Sequence, residues 1–197
     1  SHDLEMRGAG NLLGRSQSGH IAAVGFELCN RLLERAVMEV RGQAVSRRTD
    51  PEVTLPVAGY LPDGYIAEQE QRLEIYARLA RAGSVEEVFE LEREMIDRFG
   101  PAPSEVVNLC ELMVLKILLR HAGIPALEMK GHTLRLTLDT GRDDTLAGLV
   151  RLAKQRPARV RLDPQGVLEV DLEEEERLVP LQSAREVVSW AGASAPS

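Results

Sequence analysis

The sequence predicts an α+β fold. A helical N-terminal segment, made of a loop and one long helix, is linked to an α/β domain with three helices followed by two strand–strand–helix units. Apolar residues recur at steps of three and four in several stretches, which is the period of a helix packed on one side, and they alternate in others, as in half-buried strands. With 197 residues, of which 44% are hydrophobic, the chain is long enough for one large core or two modest ones.

Two units are expected, residues 1–48 and residues 49–197. The glycine-rich residues 7–19 predict a loop. The helix predicted after this loop, from about Ser18 to Arg41, has one apolar stripe formed by Ile21, Val24, Leu28, Leu32, Ala36 and Val40. Residues 42–51 have no periodicity and contain glycine, proline and charged residues, which indicates a linker and a domain boundary.

The second unit is expected to begin with a strand and three helices. Val53, Leu55 and Val57 alternate as in a strand, and Pro56 restricts that strand to the edge of a sheet or to an extended segment. Glycines, prolines and capping residues divide the next stretch into helices predicted at Ile66 to Ala82, Val85 to Phe99 and Pro103 to about His121. The first of them is predicted to place on one face Ile66, Leu73, Tyr76 and Ala80. The third is the most apolar stretch of the chain and is expected at the centre of the core.

Two of the predicted helices, the one at Val85 to Phe99 and the closing helix of the chain, show their start in the sequence. Ser84-Val85-Glu86-Glu87 predicts a capping box, in which the serine hydroxyl accepts a backbone N–H and the glutamate accepts the serine's own N–H. The acidic run Glu173–Glu176 lies where a closing helix should begin, and negative charge is favourable at that end of the helix dipole. We interpret this run as a solvated helix start rather than a metal or partner site.

The end of the chain is predicted to alternate strand pairs with helices. Ala126 to Met129 and Thr133 to Leu138 flank Lys130-Gly131-His132 as in a hairpin. A helix is expected next, at Thr145 to Gln155. A second pair of strands, Arg159 to Leu162 and Val167 to Leu172, is expected around the turn Asp163-Pro164-Gln165-Gly166. A helix at Glu174 to Trp190 is expected to close the domain. Residues 191–197 are expected to fray.

The charge distribution limits where nucleic acid could bind. The net charge is −7, and residues 1–48 contribute seven basic and five acidic side chains, so the rest of the chain is strongly acidic. Phosphate neutralisation supplies most non-specific affinity for DNA, so any DNA contact is expected in the first fifty residues. The absence of a membrane-spanning run or a leader sequence predicts a cytoplasmic location without membrane contact.

The residues offer no evident catalytic or metal site. The chain has no glycine-rich loop ending in Gly-Lys-Ser or Gly-Lys-Thr, so it is not expected to hydrolyse ATP alone or to need a cofactor. The segment Gly8 to Gly14 misses the dinucleotide-binding spacing by one residue, and Ser18 stands where a nucleophile elbow around Ser16 needs glycine. The two cysteines, Cys29 and Cys110, lack the CxxC spacing of metal or redox sites, and we interpret them as reduced core thiols. The four histidines lack the paired spacing of a zinc site and are expected at surfaces or caps; they are His2, His20, His121 and His132.

Two blocks of motifs resemble one protein family. The string Asp3-Leu4-Glu5-Met6-Arg7-Gly8-Ala9-Gly10-Asn11-Leu12-Leu13-Gly14, followed by Gln17-Ser18-Gly19 and Val24-Gly25-Phe26, resembles the translocation motif shared by the RecG helicase and the bacterial transcription-repair coupling factor family (Mfd). Tyr60 to Ile66, Arg72 to Tyr76 and Met95 to Gly100 resemble the C-terminal regulatory domain of the coupling factors, which RecG lacks. The resemblance is strong from residue 3 to about residue 138.

The resemblance implies a function for each unit. Members of the family are ATP-driven DNA translocases that displace stalled RNA polymerase and recruit the excision-repair protein UvrA. The first unit would be the end of the second motor domain, where Arg7 and Gln17 couple ATP hydrolysis to movement along duplex DNA. The glycines of the motif loop are Gly8, Gly10, Gly14 and Gly19. ATP and Mg²⁺ would belong to the full-length motor and not to this fragment.

The helix predicted at Val85 to Phe99 has an acidic side. At 100° per residue, Glu87, Glu90, Glu94 and Asp97 form one stripe, roughly opposite Val85, Val88, Phe89, Met95, Ile96 and Phe99. Periodicity alone favours a solvated surface for the carboxylates. The resemblance implies instead that the regulatory domain folds onto an N-terminal UvrB-like module and hides its UvrA-binding surface, with Glu94 and Asp97 meeting arginines there. Glu92 lies within the apolar arc and has no explanation from the pattern.

Two other classes of function remain open from the residues. A protein-interaction adaptor with no role in translocation would need residues 1–41 only as a helical anchor. An independent enzyme would need a phosphate loop, metal ligands or a nucleophile, none of which the sequence contains in a recognised pattern.

Overall fold

The computed structural model describes residues 50–139, 150, 153–154 and 158–192, with the backbone alone for residues 191 and 192. Three consecutive helices and a five-stranded mixed sheet form most of this part, which confirms the α+β class. The predicted loop at 7–19, the helix at Ser18 to Arg41, the linker up to residue 49 and residues 193–197 lie outside the described residues. So do His2, His20, Cys29 and most of the predicted helix at Thr145 to Gln155.

The three helices are α1 (Gln69–Arg81), α2 (Val85–Phe99) and α3 (Ser104–Ala122). The bounds predicted for α2 are confirmed at both ends. Helix α1 begins three residues later than predicted, because Glu68 is extended and Ile66 belongs to the preceding turn, where its N–H donates to the Pro62 carbonyl over 3.0 Å.

The predicted buried face of α1 was wrong at Leu73 and omitted the two residues that the helix buries most. Leu73 is 41% exposed, whereas Ile75 and Leu79, four residues apart, are each 2% exposed. Tyr76 and Ala80 are half-buried at the edge of the same core. Because Ile66 lies outside the helix, its position does not indicate which side of the helix faces the core. Ile75 and Leu79 define that side.

The start of α2 is capped much as its sequence predicts. Ser84 Oγ accepts the N–H of Glu87 at 3.3 Å. The Glu87 carboxylate, however, accepts the N–H of Gly83 at 3.0 Å and not that of Ser84, so the reciprocal half of the predicted box is shifted by one residue. Both bonds satisfy N–H groups at the helix start.

Helix α3 is the central core element, as its apolar sequence predicts, and it takes part in two separate cores. One core lies between α3, the sheet and the last helix, and α3 contributes Leu112, Leu115, Leu119 and Ala122 to it. The other lies between α1, α2 and α3, and α3 contributes Val106, Leu109, Cys110, Met113, Val114 and Ile117. A helix that is apolar around most of its circumference is buried by neighbours on more than one side, which is the situation of α3.

The five strands are β1 (Glu52–Thr54), β2 (Ala126–Lys130), β3 (Thr133–Thr137), β4 (Val160–Leu162) and β5 (Val167–Asp171). They form one sheet in the order β1-β2-β3-β5-β4, with β1 parallel to β2 and the other pairs antiparallel. Both predicted hairpins are confirmed within about one residue. Strand β1 is an edge strand, as predicted, but it ends at Thr54 and so excludes Leu55, Pro56 and Val57 of the predicted alternating stretch.

The predicted closing helix is interrupted. It consists of α4 (Glu174–Arg177) and α5 (Pro180–Gly192), separated by Leu178 and Val179. Proline has no N–H to donate and fits the first turn of a helix, so Pro180 starts a new helix instead of continuing the previous one. The acidic run is a helix start, as predicted: Glu173 and Glu176 form a capping box there.

Candidate functional site

The acidic side of α2 is the candidate site. Glu87, Glu90 and Asp97 are exposed and Glu94 is half-buried, while the opposite side of α2 buries Val88, Leu91 and Met95. Ile96, predicted on the buried side, is 40% exposed and lies next to Asp97. The four stripe residues therefore share one side of the helix, but their surroundings differ.

Glu94 is held by two arginines of its own domain. Arg78 of α1 donates from Nη1 to Oε1 over 2.8 Å and from Nη2 to Oε2 over 2.5 Å, and Arg98 donates to Oε1 over 2.9 Å. The hydrogen bonds from Arg78 and then Arg98 lower the pKa of Glu94 from its ordinary 4.5 to about 2. This triad joins α1 to α2, and Glu94 is already compensated within the domain.

Glu90 and Asp97 are the available anions of the stripe. Neither makes an ion pair with another residue among those described. They are seven residues apart, which corresponds to two helical turns and about 10 Å along the axis. Glu87 is partly engaged by the N–H of Gly83. The carboxylates without an ion pair among the described residues are therefore two turns apart and differ from Glu94 and Asp97, the pair that the family resemblance implies.

Glu92, which the apolar pattern of α2 left unexplained, lies against another carboxylate. It is half-buried, and burial followed by the nearby Glu111 raises its pKa above the ordinary value. Glu111 itself binds Arg185 of α5 over 2.5 Å. Glu111 is thus paired with an arginine of α5, whereas Glu92 makes no ion pair among the described residues.

A groove beside this junction has a volume of about 540 Å³. Its lining includes Val57, Asn108, Glu111, Leu178, Val179 and Arg185. Leu178 is 79% exposed and Val179 46% exposed, because the interruption between α4 and α5 turns them outward. The groove combines apolar walls with polar side chains, of which Asn108, Glu111 and Arg185 already have partners.

The remaining candidates for chemistry are separated in space or buried. Cys110 is buried, and burial raises the pKa of its thiol to about 12, so it is protonated at neutral pH. His121 at the end of α3 and His132 in the β2–β3 turn are exposed, as predicted. Within the described ranges, no three His, Cys, Asp or Glu side chains are placed to hold a metal ion. None of the helices described there is long and apolar enough to span a bilayer.

Sequence reasoning missed the partners that neutralise Glu94. The spacing of Glu94 and Arg98, four residues apart on one helix, was a readable signal for an ion pair. No local signal identifies Arg78, which is sixteen residues away and meets Glu94 only because α1 packs beside α2.

The Glu94 triad predicts an acid-sensitive contribution to stability. Since the folded-state pKa is depressed, this contribution is fully present above about pH 4.5 and is lost as the pH falls toward 2. Glu94→Gln is expected to lower the free energy of unfolding by about 1 kcal/mol at pH 7, because the bonds are half-exposed. Urea unfolding at pH 7, 4.5 and 2.5 measures it.

The control for this prediction is Glu90→Gln on the same helix, which removes an exposed carboxylate that has no ion pair among the described residues. It is expected to change stability little at any of the three pH values. A Glu94→Gln deficit that is as large at pH 2.5 as at pH 7 would contradict the assignment.

The fold and its surface together define an α+β domain organised around one shared helix, with an acidic helix face open to solvent. The TRCF domain family model matches residues 55–149. Transcription-repair-coupling factors of Myxococcus xanthus, Staphylococcus haemolyticus and Staphylococcus aureus are 46%, 40% and 36% identical over 78%, 74% and 79% of this chain. The chain belongs to the transcription-repair-coupling factor family.

The matches also delimit what the chain represents. Each alignment covers 13% of the relative, so the chain corresponds to a small part of those proteins. The Myxococcus xanthus match is longer than the part of this chain that follows residue 49, so it includes some of the first 49 residues. A crystal structure of the C-terminal domain of transcription-repair coupling factor has the same fold, with a TM-score of 0.58 at 24% identity over 77% of this chain and all of that chain.

Proposed function

We propose that the chain is the regulatory end of an ATP-dependent DNA translocase that couples transcription to nucleotide excision repair in the cytoplasm. Residues 1–48 would complete the second motor domain, and residues 49–197 would form the regulatory domain. Family membership supports this proposal, together with the change from a net positive first unit to a strongly acidic second one. The fragment itself would contribute regulation and coupling rather than ATP hydrolysis.

The regulatory domain would act through the exposed side of α2. It would fold onto the N-terminal UvrB-like module of the same protein and mask the surface for which UvrA competes. Glu90 and Asp97 are exposed and have no ion-pair partner among the described residues, so basic side chains of that module could approach them without breaking a bond. Arginine forks bind carboxylates in a directional way, which would fix the orientation of the contact.

Glu94 would have a different part in this contact. Its carboxylate is shared between Arg78 and Arg98, so a partner's arginine would have to compete with bonds of 2.5 to 2.9 Å. Arg98 is the weaker competitor, because it makes one bond to Glu94 while Arg78 makes two. We therefore keep Glu94 and Glu87 in the proposed interface as secondary contacts.

Weak contacts suit such a mask. Exposed ion pairs contribute only about 0.2 to 1 kcal/mol each, so the closed form would depend on several of them together. Stalled RNA polymerase, bound by other domains, or UvrA could then open it by offering better contacts. In the first unit, Arg7 and Gln17 would couple ATP and Mg²⁺ chemistry of the full motor to movement on duplex DNA.

The test is binding of the chain to the separately produced N-terminal module of the same protein. Glu90→Lys with Asp97→Lys is expected to raise the dissociation constant about five- to tenfold at 50 mM salt, because two attractive contacts become repulsive. The difference should shrink as salt rises to 300 mM, since exposed charges are screened. In the full-length protein the same pair of substitutions is expected to raise basal ATPase activity.

Glu174→Lys with Glu175→Lys is the matched control. It makes the same change in net charge at two exposed carboxylates of a different helix, α4. Equal weakening by both pairs would show general attraction to an acidic chain and would refute the α2 interface. Unchanged binding by the α2 pair would refute it as well.

A further inference from the structure

The first described residues form a strap along α3. The strap, defined as Asp50–Tyr60, runs against the direction of α3 and meets it at three successive places. At its start, Asp50 binds the side chains of Lys116 and Arg120, near the end of α3. Farther along, the Ala58 carbonyl accepts a hydrogen bond of 2.9 Å from Asn108 Nδ2. At its end, the N–H of Tyr60 donates to the Glu105 carbonyl over 3.1 Å, in the first turn of α3.

The ion cluster at the start of the strap combines exposed and buried charge. Lys116 Nζ lies 2.7 Å from Asp50 Oδ2, and Arg120 Nη2 lies 2.8 Å from Oδ1, so each carboxylate oxygen has its own cation. The Lys116 side chain is only 8% exposed, whereas that of Asp50 is 58% exposed. A buried cation is costly without a counter-charge, so Asp50 compensates a charge that α3 places inside the protein.

The electrostatics of Asp50 agree with this geometry. Burial would raise the pKa of Asp50, but Lys116 and then Arg120 outweigh it and hold that pKa below its ordinary value. The carboxylate is therefore charged at neutral pH, where the two cations need it.

The strap is also attached on its other side. The N–H of Glu52 donates to the Pro125 carbonyl over 2.9 Å, and the whole of β1 pairs in parallel with the first three residues of β2. Val53 is 3% exposed in the core shared by α3 and the sheet. Between α3 and β2, the chain therefore has little freedom from its first described residue onward.

We propose that Asp50 is a positioning residue that fixes where, and in which direction, the preceding chain joins the domain. With the strap in place, the chain would be rigid from residue 50 onward. Without it, the chain would stay flexible as far as its first strand in the sheet. Asp50 binds the helix that both cores share. The preceding segment would therefore be held in a fixed position relative to the whole domain and not only relative to one edge strand. This inference does not depend on the proposed masking of another module.

The test is ¹⁵N relaxation of the whole chain, with Asp50→Asn as the main variant. In the wild type, the amides of Asp50 and Glu52 are expected to have order parameters of about 0.85, typical of rigid backbone. Asp50→Asn keeps the shape of the side chain and removes its charge. The order parameter of residue 50 should then fall below about 0.6. Asp63→Asn, in an exposed turn, is the control and should leave them unchanged.

A second variant separates positioning from stability. Adding Lys116→Met to Asp50→Asn removes the buried cation that has lost the Asp50 carboxylate, so resistance to urea should recover while residue 50 remains mobile. Low order parameters at residue 50 in the wild type would overturn the proposal. The proposal would also be overturned if residue 50 had the wild-type order parameter in Asp50→Asn or in the double variant.

Discussion

Gly59→Ala is expected to lower the free energy of unfolding by about 1 to 3 kcal/mol, the usual cost of inserting a methyl group into a packed interior. A Cβ at Gly59 would lie 2.7 Å from Leu112 Cδ1, 3.0 Å from the backbone nitrogen of Leu109 and 3.1 Å from its Cα. Leu112 is itself 2% exposed and has little room to move, and the backbone of α3 cannot give way locally without losing helical hydrogen bonds. Urea unfolding measures the change.

Gly83→Ala is the matched control for Gly59→Ala. A Cβ at Gly83 would meet no atom within 4 Å, and the residue is exposed between α1 and α2. Alanine there is expected to be neutral or to stabilise by up to about 1 kcal/mol, because it restricts the unfolded chain. A Gly59→Ala protein as stable as the Gly83→Ala protein would show that the strap is not closely packed on α3.

The close approach at Gly59 explains why a helix can support the strap along its length. A residue with a side chain at this position would push the strap away from α3, and the bond between Ala58 and Asn108 would lengthen. Glycine is needed here for space and not for an unusual backbone angle. The sequence alone shows a glycine in an extended segment but gives no sign of which surface it touches.

Local signals in the sequence predicted those parts of the fold that local interactions determine. The bounds of α2 follow from Ser84 at its start and Gly100 at its end, and both act within one turn of the helix. The edge position of β1 was predicted from Pro56, which cannot donate to a neighbouring strand, although Pro56 itself lies two residues beyond the end of β1. The turn at Gly131 follows from a glycine with a φ of 58°, flanked by two alternating stretches.

The parts that were wrong depend on tertiary contacts or on a local signal that outweighs periodicity. The buried face of α1 is set by packing against α2 and α3, and helical spacing wrongly assigned Leu73 to it. The break before α5 was visible in the sequence as Pro180 inside a predicted helix. The pairing of Asp50 with Lys116 joins residues 66 positions apart, and no periodicity reveals it.

The candidate site shows the same division. Helical period alone placed Glu90 and Asp97 on one side of α2, and both are exposed in the structure. It could not show that Glu94, on the same side, is bound by Arg78 from a neighbouring helix. A stripe of carboxylates in a sequence can therefore include residues with and without an ion-pair partner, and only the packing of the described residues distinguishes them.

Leu115→Ala is expected to lower the free energy of unfolding by about 2 to 5 kcal/mol and to do so in one cooperative transition. Leu115 has no exposed surface and belongs to the core between α3 and the sheet. Its loss leaves a cavity in that core, yet α3 also forms one wall of the core with α1 and α2. If the sheet side of α3 separates, the helix side loses its main support, so the two cores should unfold together.

Two probes distinguish this outcome from independent unfolding of the cores. Trp190 is the single tryptophan of the chain and packs against the sheet core, so its fluorescence reports that core, whereas far-ultraviolet circular dichroism reports all helices. The two urea transitions of Leu115→Ala should coincide at a lower midpoint with an unchanged slope. Leu73→Ala, at a position 41% exposed, is the control and should shift the midpoint little. A fluorescence transition that precedes the loss of helix would show that α3 can keep the helical core folded alone, and the shared helix would then not couple the two cores.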